Sequence, residues 1–305
     1  MLKKDHICVC ICTYKRPERL GRLLQKLAKQ DTDDLFTYSL VIVDNDWLMS
    51  ARETVESYSS KSNIEVSYFV ETRQNIALAR NKAIENAKGN FVSFIDDDEL
   101  PDLRWLLNLY RAIHRYNSNG VLGPVLPYFE KAPPKWIIRG RFFERPIHTN
   151  GYILEWKNTR TGNVLLRRNL FKEDPEWFRP EFGSGGEDRD FFRRMIARGN
   201  VFVWCNEAKV FELVPSERWE KRILMKRALM RGKMALRYAK PWPISVFISI
   251  AAICTYSLGM PYLFFLSPIF GYEVFMKYLV KCCDHLGKIF AFFSIDLISD
   301  KYINP

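Results

Sequence analysis

Three consecutive aspartates and a glutamate, Asp96, Asp97, Asp98 and Glu99, follow directly on the apolar run Phe91 to Ile95 in "FVSFIDDDELPD". Carboxylates so close repel one another, and a bound cation removes that penalty. Hard oxygen donors of this kind suit Mg²⁺ or Mn²⁺. The same acids also suit a solvated turn capping a helix that starts near Pro101, and this stretch alone supports both readings. A second acidic group stands in "EFGSGGEDRDFFRRMIARG", where Gly183, Gly185 and Gly186 favour a mobile loop running into a helix. Phe191, Phe192, Met195 and Ile196 mark that helix's apolar face, and helical spacing puts Asp188 on it while Glu187 and Asp190 turn away. An ionised, poorly solvated Asp188 suits a general base; capping of the helix N-terminus by any of these acids is the alternative. The third chemical group is Arg80 in "NIALARNKAIENAKG", centred on a face made by Ile76, Ala79, Ala83, Ile84 and Ala87. A buried guanidinium needs an anion, either a carboxylate such as Asp96 or the diphosphate of a ligand. Asn75 is the expected N-cap of this helix and Gly89 its terminator.

These groups need a frame, and the first hundred residues supply a regular one. Strand-like and helix-like segments alternate: Ile7 to Thr13, Pro17 to Lys29, Ser39 to Asp44, Ser50 to Tyr58, Ile64 to Val70, Ile76 to Lys88, Phe91 to Ile95. This is the βαβ rhythm of an α/β fold with a mostly parallel sheet, whose ligands lie beyond the carboxyl ends of the strands. Three of those ends carry polar groups: "TYKRPE", "DND" (Asp44, Asn45, Asp46) and "DDDE". No GxGxxG or GxxxxGK[ST] occurs at any of them, which argues against dinucleotide and P-loop sites. A nucleotide bound here needs another neutraliser for its phosphates, and a metal held by carboxylates would serve. Past Val121 the pattern loosens. Tyr128, Trp136, Phe142, Phe143 and Trp156 form either an acceptor surface or a packing cluster, before a short strand expected in "NVLLRR".

The net charge of +11 is concentrated in Pro215 to Lys240, where Lys and Arg dominate. Such a helix, also carrying Ile223, Leu224, Met225, Leu229, Met230 and Leu236, is expected to bind an anionic lipid surface. Ile244 to Phe270 follows with no Asp, Glu, Lys, Arg or His. That exceeds the ~20 residues a membrane helix needs, although "GMP" at Gly259 to Pro261 is expected to divide it and leaves a re-entrant hairpin open. This apolar neighbour argues against nucleic acid as the partner of the basic tract. The start "MLKKDHICVC" has no long apolar run and no small-residue cleavage site, so a cytoplasmic catalytic half is expected. Seven cysteines without CxxC spacing agree. Cys8, Cys10 and Cys12 share one strand face and read as buried and reduced.

Taken together, "ICTYKRPERLGRLL", "LVIVDND", "NIALARNKAIENAKGNFVSFIDDDELPDLRWL", "TGNVLLRR" and "GGEDRDFFRRM" resemble the family 2 glycosyltransferases with the GT-A fold. "SARETVE", "LGPVLPYF" and "APPKW" are most similar to the ExoM type that builds bacterial exopolysaccharides. The resemblance implies a GT-A (nucleotide-diphospho-sugar transferase) fold and a nucleoside-diphosphate-sugar donor, usually UDP-linked. It implies a divalent Mn or Mg cofactor and transfer with inversion to a lipid-linked or glycan acceptor, at the cytoplasmic face of the cell membrane. By the same resemblance Thr13, Tyr14, Arg16 and Asp44 surround the nucleobase and Arg80 approaches the base and phosphates. Asp96 and Asp98 match a DxD, the first reaching the ribose and the second the metal, with Asp97 between them in the donor site. Asp188 matches the base of an "ED" pair, with Glu187 in support. The QxxRW of processive relatives is reduced here to Arg218 and Trp219, which favours addition of a single sugar. The implied organisation is a catalytic domain over residues 1–214, a basic interfacial helix over 215–243 and an apolar region over 244–305. A metal-dependent phosphohydrolase and a non-catalytic membrane adaptor that keeps the fold are the rival readings.

Overall fold

The computed structural model describes residues 4–172, 176–183, 185–238 and 241–295. The first 128 residues and 145–213 form one compact unit, and 129–144 with 214–305 form a second.

The first unit opens as expected, with β1 (Asp5–Thr13), α1 (Pro17–Leu27), β2 (Phe36–Asp44), α2 (Arg52–Ser59), β3 (Val66–Val70), α3 (Ile76–Asn86) and β4 (Phe91–Ile95). β5 (Glu99–Pro101), α4 (Trp105–Arg115), β6 (Gly120–Leu122) and β7 (Val125–Tyr128) follow. Then come α5 (Lys135–Arg139) of the second unit, β8 (Asn163–Arg167), α6 (Glu187–Ala197), β9 (Phe202–Trp204) and β10 (Val210–Leu213). The main sheet has the order β3-β2-β1-β4-β8-β6-β9. Its β3, β2, β1 and β4 are parallel, and β8 runs antiparallel to β4.

Strand β1 is buried on both faces, which is why its sequence is continuously apolar. Ile7, Val9 and Ile11 face the layer containing Leu20, Leu23, Leu24 and Leu27 of α1. Those leucines recur at helical spacing, and Pro17 supplies the preset φ of a first helical turn. Full burial of each contributes roughly 1.5–3 kcal/mol, so α1 is fixed against the sheet mainly through this stripe. On the other face Cys8 and Cys10 pack among Ala79 and Ala83 of α3 and Phe191 and Phe192 of α6. All seven cysteines are free thiols, and small side chains at Cys8 and Cys10 let the alanine face of α3 lie close.

Register brings the chemistry to one edge. Thr13 pairs with Asp44 across β1 and β2, and Asp44 with Val70 across β2 and β3. Ile95, the last residue of β4, pairs with Asn163, the first of β8. The turn before β8 therefore abuts the acidic cluster after β4. A small sheet β5-β10-β7 places Glu99 opposite Glu212.

In the second unit α7 (Lys221–Tyr238), α8 (Trp242–Phe265), α9 (Ser267–Phe270) and α10 (Tyr272–Phe292) are helical. Gly232 of α7 and Gly287 of α10 sit against backbone of the opposite helix, where any Cβ would collide. Arg231 donates twice to Asp284 across the same contact, at 3.1 and 3.2 Å. Trp136 and Phe142 stack edge-on, Trp136 meets Tyr272 likewise, and Phe129 touches both Phe143 and Trp219. Trp136, Phe142 and Phe143 thus pack against aromatic neighbours while staying half-buried.

The expected division at Gly259 to Pro261 does not occur: α8 is one helix of 24 residues with Pro261 inside it. A proline removes one backbone hydrogen bond, and the remaining ladder carries the helix on to Phe265. At 1.5 Å per residue its length is about 36 Å. Among the described residues it is the one helix long and apolar enough to cross a membrane. Phe247, Leu258 and Phe265 stand exposed on it. The ends of the expected basic and apolar segments, residues 239–240 and 296–305, lie outside the described residues.

Candidate active site

Asp97 and Asp98 are not solvated. Thr13 donates its hydroxyl to Asp97 Oδ2 at 2.7 Å, and Arg16 reaches Asp97 Oδ1 at 3.2 Å and Asp98 Oδ2 at 3.5 Å. Arg19, one turn into α1, lies 3.6 Å from the same Asp98 oxygen. The crowding that the sequence shows is thus offset by two guanidinium groups set at the end of β1 and the start of α1. Burial still pushes the Asp97 carboxyl up to about 6, against the pull of Arg16. Asp96 differs: its side chain is 49% exposed, against 9% for Asp98. Of the three aspartates Asp96 faces outward.

At the end of β2, Asp44 is fully buried and accepts from Ala51 N, Asp46 N and the Tyr68 hydroxyl at 2.8–3.0 Å. Asn45 donates to the carbonyls of Glu71 and Arg73 and accepts from Asn75 N. Asn75 in turn accepts from Ala77 N and Leu78 N, the N-cap expected for α3. The helix ends at Asn86, two residues short of the expected Lys88. Gly89 has φ 96° and lies against the His6 carbonyl, where a Cβ would come within 2.5 Å.

The cap orients α3 so that Arg80 points into the protein, 8% exposed. Its Nη1 pairs with Glu187 Oε1, and its Nη2 lies 3.4 Å from Asp96 Oδ1. The Phe178 ring lies 5.8 Å beneath the guanidinium. Of the two partners open to Arg80, the protein supplies carboxylates, one at the end of β4 and one at the start of α6. Arg80 therefore ties the two acidic motifs together.

The orientation expected for α6 is reversed. Glu187 and Asp190 are buried and Asp188 is half-exposed. Gly186 adopts φ 95° as the N-cap, and this left-handed entry rotates the first turn so that Glu187 meets Arg80. Asp190 points toward Arg194, 2.8 Å away, and Arg179. Periodicity ranks the acids only by their angle from the phenylalanines; it carries no information about a guanidinium waiting on α3. Glu187 Oε2 is buried with no hydrogen-bond partner among the described residues. Burial raises the Glu187 carboxyl to about 7 although Arg80 opposes it. Of the expected mobile loop, Gly183 is packed against Asn75 and accepts from Ile76 N, while Ser184 lies outside the described residues.

Glu99 of the expected acidic run is joined by two arginines that the sequence does not single out. Glu99 is buried and accepts from Asp96 N at 3.2 Å. Arg145 pairs with Glu212 and stands 4.0 Å from Glu99. Arg160 precedes the turn into β8. Neither Arg145 nor Arg160 has a periodic signal; only pairing of distant strands brings them to the cluster. Tyr14 is half-buried with Lys15 5.2 Å from its ring, and Arg218 is buried in the second unit.

Among the described residues no three His, Cys, Asp or Glu side chains form a metal cage. The donors at hand, Asp96 and Asp98, are hard carboxylates two residues apart. They fit a cation of the Mg²⁺ or Mn²⁺ kind that takes one or two carboxylates and completes its shell with substrate phosphates and water.

A mostly parallel sheet with acidic groups gathered at the carboxyl ends of its strands, and helices packed on each face, defines the GT-A class of nucleotide-sugar transferase folds. The chain belongs to glycosyl transferase family 2, whose model matches residues 8–174, and is a glycosyltransferase. It is 34% identical over 230 residues to the succinoglycan biosynthesis protein ExoM of Rhizobium meliloti (strain 1021), covering 75% of this chain and 73% of that protein. It is 26% identical over 202 residues to the poly(ribitol-phosphate) beta-N-acetylglucosaminyltransferase TarS of Staphylococcus aureus (strain MW2), covering 63% of this chain and 32% of TarS. Among solved structures, the mannosyltransferase PcManGT from Pyrobaculum calidifontis, in complex with GDP-Man and Mn²⁺, superposes with TM-score 0.66 at 15% identity. That match covers 96% of this chain and 88% of that one. TarS 1-349 of S. aureus in complex with UDP-GlcNAc gives TM-score 0.52 at 22% identity, over 74% of this chain and 66% of that one.

Proposed function

We propose that the chain moves one sugar from a nucleoside-diphosphate sugar, a UDP-sugar, to a hydroxyl of a lipid-linked oligosaccharide or glycan acceptor, with inversion. The carrying observation is the Arg80 bridge, which holds Asp96 and Glu187 together and so sets the outward Asp96 and the half-exposed Asp188 at one edge of the sheet. The ends of β1 and β2, with Thr13, Tyr14, Arg16 and Asp44, form the nucleoside side. Asp96, Asp97 and Asp98 form the phosphate side. A divalent cation held by Asp98, with Asp96 beside it, would neutralise charge on the departing diphosphate.

Asp188 is the base. Half-buried at the first turn of α6 rather than enclosed, it can meet an acceptor hydroxyl. The proton passes from that hydroxyl to Asp188 as its oxygen bonds the anomeric carbon and the bond to the diphosphate breaks. One displacement of this kind inverts the centre. Glu187 keeps Arg80 charge-balanced and so fixes the helix start that carries Asp188. The proposed organisation places catalysis in residues 1–214, with 215–243 and 244–305 holding the protein on the cytoplasmic face of the membrane. The exposed apolar side chains of α8 support attachment, since burying each contributes on the order of 1.5–3 kcal/mol that salt does not screen. Full-length protein is expected to stay with membranes at 1 M salt and to leave with detergent. Quantitative release by salt alone counts against attachment through α8.

Family membership does not favour the phosphohydrolase or adaptor readings. Calorimetric titration of UDP with and without Mn²⁺ tests the donor site. Metal-linked binding that disappears in Asp98→Ala, with circular dichroism unchanged, is expected; equal binding by that variant removes Asp98 from the metal site.

A further inference from the structure

We propose that Arg160 is a diphosphate-binding residue of this site, an inference that rests on the nucleoside-diphosphate-sugar reading above. Position is the first observation. Arg160 stands two residues before Gly162, and the pairing of Ile95 with Asn163 lays this turn against the acidic cluster. A Cβ at Gly162 would lie 2.6 Å from Glu99 Oε1 and 3.0 Å from Asp96 Oδ2. The turn therefore approaches the outward aspartate as closely as backbone can.

The second observation is a count of partners. Arg16 and Arg19 serve Asp97 and Asp98, Arg80 serves Asp96 and Glu187, and Arg145 serves Glu212 and reaches toward Glu99. Arg160, half-buried beside the same groups, makes no hydrogen bond and no ion pair among the described residues. Burial and the nearby Arg145 lower its guanidinium to about 10, while Glu99, Asp188 and Glu212 act on it in the opposite sense. Next to it, Thr161 is 1% exposed and its hydroxyl has no hydrogen-bond partner among the described residues.

The buried Thr161 hydroxyl left without a partner is costly, and the half-buried guanidinium beside it matches phosphate oxygens in pairs. A donor whose phosphates reach Asp96 adds negative charge to a cluster whose other cations are already engaged. Arg160 is the side chain placed to balance it. When the bond between the anomeric carbon and the diphosphate oxygen breaks, the electron pair stays on that oxygen. A fixed cation there favours departure.

The test uses the full chain with Mn²⁺ and compares UDP with uridine, which lacks the phosphates. Arg160→Gln is expected to weaken UDP binding roughly ten- to hundredfold, as loss of a charge-assisted hydrogen bond does. Uridine affinity and the thermal midpoint should not move, and Arg160→Lys should fall between. Unchanged UDP affinity in Arg160→Gln overturns the proposal. So does a loss shared equally by uridine and UDP with a lower midpoint, which marks a structural role. If the wild type binds no UDP, the donor reading itself fails and this inference falls with it.

Discussion

The end of β2 and the space between the ends of β4 and α6 both hold buried acids, and they are finished to different degrees. At β2 the protein closes its own accounts in hydrogen bonds: Asp44 accepts three and Asn45 is fixed to Glu71, Arg73 and Asn75. Between β4 and α6 polar groups are left over. Glu187 Oε2 and the Thr161 hydroxyl lack partners among the described residues, and Asp96 is half-exposed. Buried polar atoms in native proteins are nearly always paired. Asp44 and Asn45 therefore make a finished shelf, although the Ser50 hydroxyl beside them is buried without a partner among the described residues; the β4/α6 end, with two unpaired groups and a half-exposed acid, is where a ligand completes the bonding.

Substitutions that break this contrast should differ in kind. Asp188→Asn is expected to keep donor affinity and lose turnover by about 10²- to 10⁴-fold, the range for removing a general base. Steady-state rates with UDP-binding controls check this. If Glu187→Gln proves the more damaged in turnover, the base is the buried acid and the roles within α6 exchange. Arg80→Met should lower unfolding stability by about 3–5 kcal/mol, because it strands the Glu187 carboxylate in the interior. Denaturant titration reads it, and a loss below about 1 kcal/mol would show that the bridge to Asp96 and Glu187 does not organise the site.

At the finished shelf, Asp44→Asn should cost about 1–3 kcal/mol, since one amide cannot accept from Ala51, Asp46 and Tyr68 together. Turnover per folded molecule should then change less than in Asp188→Asn. The smallest effect concerns pH. The Glu187 carboxyl is raised from 4.5 to about 7 on folding, so between those values the native state holds its proton more than the unfolded state does. Stability from this group is present below about pH 4.5 and declines as pH rises toward 7. Relative to Glu187→Gln, the wild type should lose thermal midpoint across that window. A midpoint difference that is flat from pH 4.5 to 7 contradicts the upward shift.

The sheet was legible because its signal is local. Ile7 to Thr13 and Phe91 to Ile95 are apolar and β-prone, Asn75 caps where a helix begins, and the acids stand at strand ends, so the edge that carries the site follows from order alone. What the sequence concealed depends on contacts between distant segments. The angle from Phe191 and Phe192 points Asp188 inward, but the left-handed Gly186 and the guanidinium of Arg80 turn Glu187 inward instead. Arg160 and Glu212 reach the cluster only through the β4–β8 and β5–β10 pairings. Pro261 read as a break because a proline interrupts isolated helices, whereas one lost hydrogen bond is tolerated within 24 residues of α8.

The central claim is that the β4/α6 end transfers a sugar to an acceptor. Its most direct test follows UDP release by the full chain with Mn²⁺ across a panel of UDP-sugars, with and without membrane lipid extract as acceptor. Release from one donor that requires the extract, and falls away in Asp188→Asn, is the predicted result. Donor breakdown at the same rate without any acceptor would contradict it and make the site a hydrolase.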